Sequence, residues 1–134
     1  MGTKTEDNRA KDYALSLFEF IVEMVEAVKK AHNDEDYKAQ EQAEEIAIEN
    51  AVRIEVRSGW CFWNGDPQMK PAEFKILLCG GGPSVQIVGD LDNEQPDEPV
   101  LQYQDWGTPW IDYPLNDEQK DILAEYCGLF CFEE

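Results

Sequence analysis

The chain has little positive charge, a single histidine and no long apolar run. Eleven Lys and Arg stand against 29 Asp and Glu, a formal net charge of −18 over 134 residues. Such a field repels nucleic acid and membrane surfaces and draws in basic surfaces quickly, so neither direct nucleic-acid binding nor membrane attachment is expected. No apolar stretch approaches the roughly 20 residues needed to span a bilayer. Glu19, Glu23 and Glu26 interrupt the apolar positions of the first thirty residues, which therefore lack a signal-peptide core. A cytoplasmic protein with unbridged thiols is the expectation.

The chemistry-bearing residues are equally sparse. His32 ends a predicted helix, where a cation is favoured, and reads as a helix terminator rather than half of a catalytic pair. Cys61, Cys79, Cys127 and Cys131 suffice for zinc by number, but structural zinc sites use two close pairs and only Cys127 and Cys131 are close. Gly80-Gly81-Gly82-Pro83 lacks a following Lys-Ser or Lys-Thr and leads into a strand, so it reads as a turn rather than a phosphate loop. Carboxylates are too numerous for any pair to stand out as acid and base. No enzyme, metal or cofactor is predicted.

What is present organises around residues 74–91. Two apolar runs of strand length, Phe74 to Cys79 and Ser84 to Leu91, flank that turn and read as the central hairpin of an antiparallel sheet. Val52, Ile54 and Val56 alternate with Arg53, Glu55 and Arg57, predicting a half-buried strand on one side. Val100 to Gln104 predicts another on the far side, and Ile111 to Tyr113 a short edge strand. Asp90 to Pro99 reads as an acidic connection that its prolines keep out of a sheet interior.

Helices bracket this block. Residues 1–8 are polar and expected to fray, and Asp7 or Asn8 to cap a helix reaching about Ala31. Tyr13, Leu15, Phe20 and Val22 widen its apolar stripe, predicting contact with several neighbours and a homodimer through this helix. A second helix, capped at Asp34 or its neighbours, runs to about Asn50, with Tyr37, Ala39, Ala43, Ile46, Ala47 and Ile48 as its apolar side. Asn116 caps the last helix, Ile122, Leu123, Tyr126 and Cys127 form its buried side, and Gly128 ends it. The expected fold is α+β: two N-terminal helices (9–51), a mostly antiparallel sheet of three to five strands (52–113), and a C-terminal helix and tail (116–132). One domain is expected at this length.

The charge is unevenly spread. Residues 33–51 carry 7 acidic groups and 1 basic, and residues 90–134 carry 13 and 1, whereas 52–89 carry 3 and 4. The candidate partner-binding residues are therefore Glu41, Glu44, Glu45 and Glu49 on the second helix, with Asp92, Glu94, Asp97, Glu98, Asp117, Glu118 and Asp121 beyond the central hairpin. Trp60, Trp63, Trp106 and Trp110 sit in glycine- and proline-containing loops beside that hairpin. With Arg53 and Arg57 as anion partners, they make an alternative site for a small nucleotide-like ligand.

Val56-Arg57-Ser58-Gly59-Trp60, Ile76 to Pro83, Val88-Gly89-Asp90-Leu91 and Tyr103 to Trp110 resemble segments of small acidic proteins encoded by phages and prophages of proteobacteria. The resemblance covers roughly residues 52–126 and carries over no catalytic residue. In size and charge the chain is similar to the anti-CRISPR and anti-restriction class, several members of which display carboxylates in place of phosphates. That class implies a host defence protein with a basic nucleic-acid-binding surface as partner, such as a CRISPR effector subunit. A phage structural or replication accessory role, with no defence function, is a further alternative.

Overall fold

The computed structural model describes residues 2–58, 71–80, 83–92, 95–105 and 109–130. Among them, three helices and five strands follow in the order α1 (Gly2–Asn33), α2 (Tyr37–Glu49), β1 (Arg53–Ser58), β2 (Pro71–Cys79), β3 (Ser84–Asp92), β4 (Gln95–Gln104), β5 (Ile111–Asp112) and α3 (Asp117–Cys127). The strands form one antiparallel sheet in sequence order, β1-β2-β3-β4-β5. The architecture is the α+β arrangement expected, with the β2–β3 hairpin at its centre.

Register decides what each face does, because directly opposed residues point the same way. Ile54, Ile76, Ile87 and Leu101 form one cross-strand row. The last three are fully buried under the helices, with Phe74, Leu78, Val85 and Tyr103 on the same core. The opposite face carries the row Arg53, Leu77, Gln86, Gln102 and Asp112. There the Gln86 Nε2 donates to Gln102 Oε1 and Gln102 Nε2 donates to Asp112 Oδ1, both at 2.9 Å. This ladder satisfies the amide of Gln86, which is buried.

α1 packs against α2 and α3 and onto β3 and β4, and α3 also lies on β4. Its core side is Ala10, Ala14, Phe18, Ile21, Met24 and Val25. Tyr13, Leu15 and Phe20, by contrast, are exposed, and Val22 is half-buried. α1 begins at Gly2, ahead of the start predicted near Asp7 or Asn8. Once a helix is nucleated by packing, each added residue contributes its own backbone hydrogen bond and needs no apolar anchor. The turn to α2 places Glu35 at φ 56° and closes with Asp36 N–H donating to Ala31 O at 3.0 Å. Asp36 then caps α2, accepting from Ala39 N–H at 3.1 Å. α3 starts as predicted: Asn116 and Gln119 exchange side-chain to backbone hydrogen bonds of 2.8 and 2.9 Å, a reciprocal capping box.

Two expectations are corrected here. The acidic stretch after β3 is largely strand: Pro96 opposes Leu91, and the ladder runs from Gln95 onward. Among the described residues β5 pairs with Gln102 and Tyr103 alone and no strand flanks the outer side of the proline-bearing half of β4, so the missing N–H groups leave no described ladder partner wanting. Second, β1 is not half-buried. Val52, Ile54 and Val56 are 65, 41 and 46% exposed, because β1 is the sheet edge and the helices lie over β3 and β4.

Candidate partner-binding surface

α2 is positioned by alanine. Ala39, Ala43 and Ala47 recur every four residues, Ala47 is fully buried, and the Tyr126 hydroxyl donates to Ala47 O at 3.1 Å. A close alanine seam fixes the opposite side of the helix, at 3.6 residues per turn, as the one carrying Glu41, Glu45 and Glu49. All three are exposed, and successive members are about 6 Å apart along the axis. Glu44 leaves this ridge. It is half-buried on the packed flank, where Gln40 Nε2 donates to its Oε1 at 3.2 Å.

Apolar side chains border the ridge. Tyr37 is 66% exposed and Ile46 56%, and Ile48 is also open to solvent. The sequence reading placed these three on the covered side, which is a correction: Ala47 makes the buried contact, and helical geometry swings Ile46 to one flank and Tyr37 and Ile48 to the other. The signal was available in the four-residue alanine spacing, which marks the seam more narrowly than apolarity alone.

The other carboxylates lie on different elements. Asp92, Asp97 and Glu98 are exposed around the β3–β4 hairpin, where Glu98 takes φ 46° beside a register shift. Glu94 lies outside the described residues. Asp97 opposes Asp90 directly, and the same row continues through Glu73 to Arg57. One cation thus faces three carboxylates. Asp117, Glu118 and Asp121 are exposed in the first turns of α3, where the helix dipole favours them. The sequence set the acids of α2 apart from those beyond the central hairpin, and the fold places the latter partly on the β3–β4 hairpin and partly at the start of α3.

The alternative ligand site is weakened at its cations. Arg53 Nε lies 3.0 Å from Glu55 Oε1, and Arg57 Nη2 lies 2.6 Å from Glu73 Oε2. That hydrogen bond and the charge of Glu73 push the Arg57 guanidinium above its already high value. Both arginines therefore face carboxylates of their own chain. Trp60, Trp63 and Trp106 lie outside the described residues, and Trp110 is half-buried. An open groove of about 510 Å³ runs over β1, β2 and β3 between Glu55, Arg57, Glu73, Lys75 and Asp90. Three carboxylates against two cations leave it no net attraction for a phosphate.

Cys79 is half-buried, with its thiol 3.5 Å from Pro83 O, and Cys127 is buried, with burial pushing its thiol up. Cys61 and Cys131 lie outside the described residues. His32 is exposed, its Nδ1 3.4 Å from Gln40 Oε1. Among the described residues no helix is long and apolar enough to cross a membrane. Comparison with protein-family models, curated proteins and solved structures finds no match.

Proposed function

We propose that this protein is a non-enzymatic phage-encoded inhibitor of a host nucleic-acid-targeting defence complex, binding a basic nucleic-acid surface of that complex through the exposed face of α2. The observation that carries this reading is the composition of that face. Glu41, Glu45 and Glu49 form a carboxylate ridge with Tyr37, Ile46 and Ile48 exposed along its flanks. A face that only confers solubility has no use for exposed isoleucines, whereas a protein interface combines apolar anchors with complementary charge. Glutamates one helical turn apart present negative charges in a row, as a nucleic-acid strand presents its phosphates, and Lys and Arg that hold DNA or RNA would meet them.

The test is capture from a proteobacterial host lysate by immobilised protein, followed by elution with DNA or RNA. Wild type should retain a nucleic-acid-binding complex that free nucleic acid displaces. Glu41→Lys, Glu45→Lys and Glu49→Lys together should abolish retention, because each reversal turns attraction into like-charge repulsion. These exposed sites should affect folding by only about 0.5 kcal/mol each, so circular dichroism should show an unchanged helix content. Retention that survives the triple reversal and resists elution by nucleic acid rejects the proposal.

A further inference from the structure

Among the described residues the two edges of the sheet differ. β5 is only two residues long, a blunted edge, whereas β1 is six residues long and exposes Ile54 and Val56 on the same face that β2 and β3 bury. A strand with a free edge leaves alternate N–H and C=O groups open to another strand, and proteins usually protect such edges with charge, proline or brevity. β1 does carry charges, Arg53, Glu55 and Arg57, but their order decides whether they protect.

We infer that β1 is the docking edge for a second copy of this chain, paired antiparallel about a two-fold axis through Ile54. In that register Ile54 meets Ile54, Val52 meets Val56 on both sides, and Arg53 meets Glu55 of the second copy twice. The apolar and charged partners both match. Shifting the axis to Glu55 sets Glu55 against Glu55 and Arg53 against Arg57, so like charges face each other. Shifting it to Val56 sets Ile54 against the polar Ser58 and carries Val52 and Arg53 past the end of β1. Only the register at Ile54 pairs every residue from Val52 to Val56 with a chemical complement.

The intrachain contact supports this arrangement. Arg53 Nε and Glu55 Oε1 already lie 3.0 Å apart on one face of β1, so two copies close a ring of four alternating charges, Arg53 and Glu55 from each. Overall repulsion also points to this edge. Each chain carries −18, yet residues 52–89 hold 3 acidic and 4 basic groups. β1 itself carries two arginines and one glutamate, so the edge adds no acidic excess to the approach of two such chains. The axis stands perpendicular to the sheet, so the pairing yields a ten-stranded sheet with both helix layers on one side. Nothing in this contact requires α2 to bind a partner, so failure of one reading leaves the other intact.

The experiment is sedimentation equilibrium on the full chain in about 0.15 M salt, where screening leaves close charge pairs effective. Wild type should reach about twice the 15.4 kDa chain mass. Arg53→Glu and Glu55→Arg should each weaken self-association by about 10-fold or more, since each replaces both opposite-charge pairs with like ones. Mixed in equal amounts, the two variants should recover a dimer, because the acidic pair of positions 53 and 55 on one chain then faces the basic pair on the other. A variant that merely misfolds cannot be rescued in this way. A wild-type monomer, a mixture that stays monomeric, or a dimer indifferent to these reversals and dissociated instead by Tyr13→Lys and Phe20→Lys on α1 overturns the inference.

Discussion

Gly89 is held to glycine by its neighbours rather than by its backbone angles. A Cβ there would lie 2.7 Å from Phe74 Cε1, 2.9 Å from Phe74 Cζ and 3.2 Å from Asp97 O. Phe74 opposes Gly89 across the β2–β3 ladder and is buried, so its ring occupies the space a side chain would need. Gly89→Ala must push that ring into a packed core or shift β4, which costs about 1–3 kcal/mol. Urea unfolding followed by fluorescence should show the lowered midpoint. An unchanged midpoint would mean that the Phe74 ring yields without strain. The same site explains a local irregularity: the ladder slips between Val88 and Asp90, and Glu98 on the opposite strand adopts φ 46°.

At the scale of elements, one phenol ties the last helix to the second. Tyr126 on α3 is fully buried, donates to Ala47 O in α2 and stacks edge-on with Phe130 at 5.2 Å. Burial pushes its hydroxyl up from 10.0 to about 12; the nearby Asn50 amide opposes the shift, and Cys127 adds to it. The proton is therefore held more tightly in the folded chain than in the unfolded one. The stability this confers is complete below pH 10 and is lost as pH rises through about 12. Thermal unfolding midpoints should fall across that window, and the Tyr126→Phe variant should fall less. At neutral pH the variant should be less stable by about 1 kcal/mol, because it orphans a buried carbonyl. Parallel curves for the two proteins would remove Tyr126 as the alkaline trigger. The buried Cys127 thiol, also pushed up, contributes to both curves alike.

For the molecule as a whole, the charge of −18 is an opposing force that the core must exceed. The described ion pairs are mostly between exposed partners, such as Lys29 Nζ and Glu125 Oε2 at 2.8 Å between α1 and α3. Such surface pairs contribute little each. Screening repulsion should therefore outweigh screening attraction, and the unfolding midpoint should rise between about 0.02 and 0.5 M sodium chloride, where the Debye length contracts several-fold. A midpoint that falls with salt would mean that the pairs, not the net charge, dominate. The same imbalance is uneven: residues 33–51 carry 7 acidic groups and 1 basic, whereas residues 52–89 carry 3 and 4.

The chain by itself determined what depends on neighbours in sequence. The Asn116 cap, the β2–β3 hairpin around Gly80, the buried side of α3 and the sheet's antiparallel order were all legible, because caps, turns and strand alternation are set by local hydrogen bonds and spacing. The acidic ridge was legible for the same reason, since Glu41, Glu45 and Glu49 repeat every four residues. Tertiary structure decided which apolar faces found a cover. Val52, Ile54 and Val56 alternate as a buried strand would, yet β1 is the sheet edge and its face stays open. Ile46 and Ile48 look like core residues in the sequence, yet Ala47 makes the buried contact and leaves them beside the glutamates. Pro96 argues for a connection outside any sheet interior, yet β4 accepts it opposite Leu91, where no described strand lies on the other side. In each case periodicity specifies the chemistry of a face, whereas burial requires a second surface from elsewhere in the chain, and only packing determines where that surface lies.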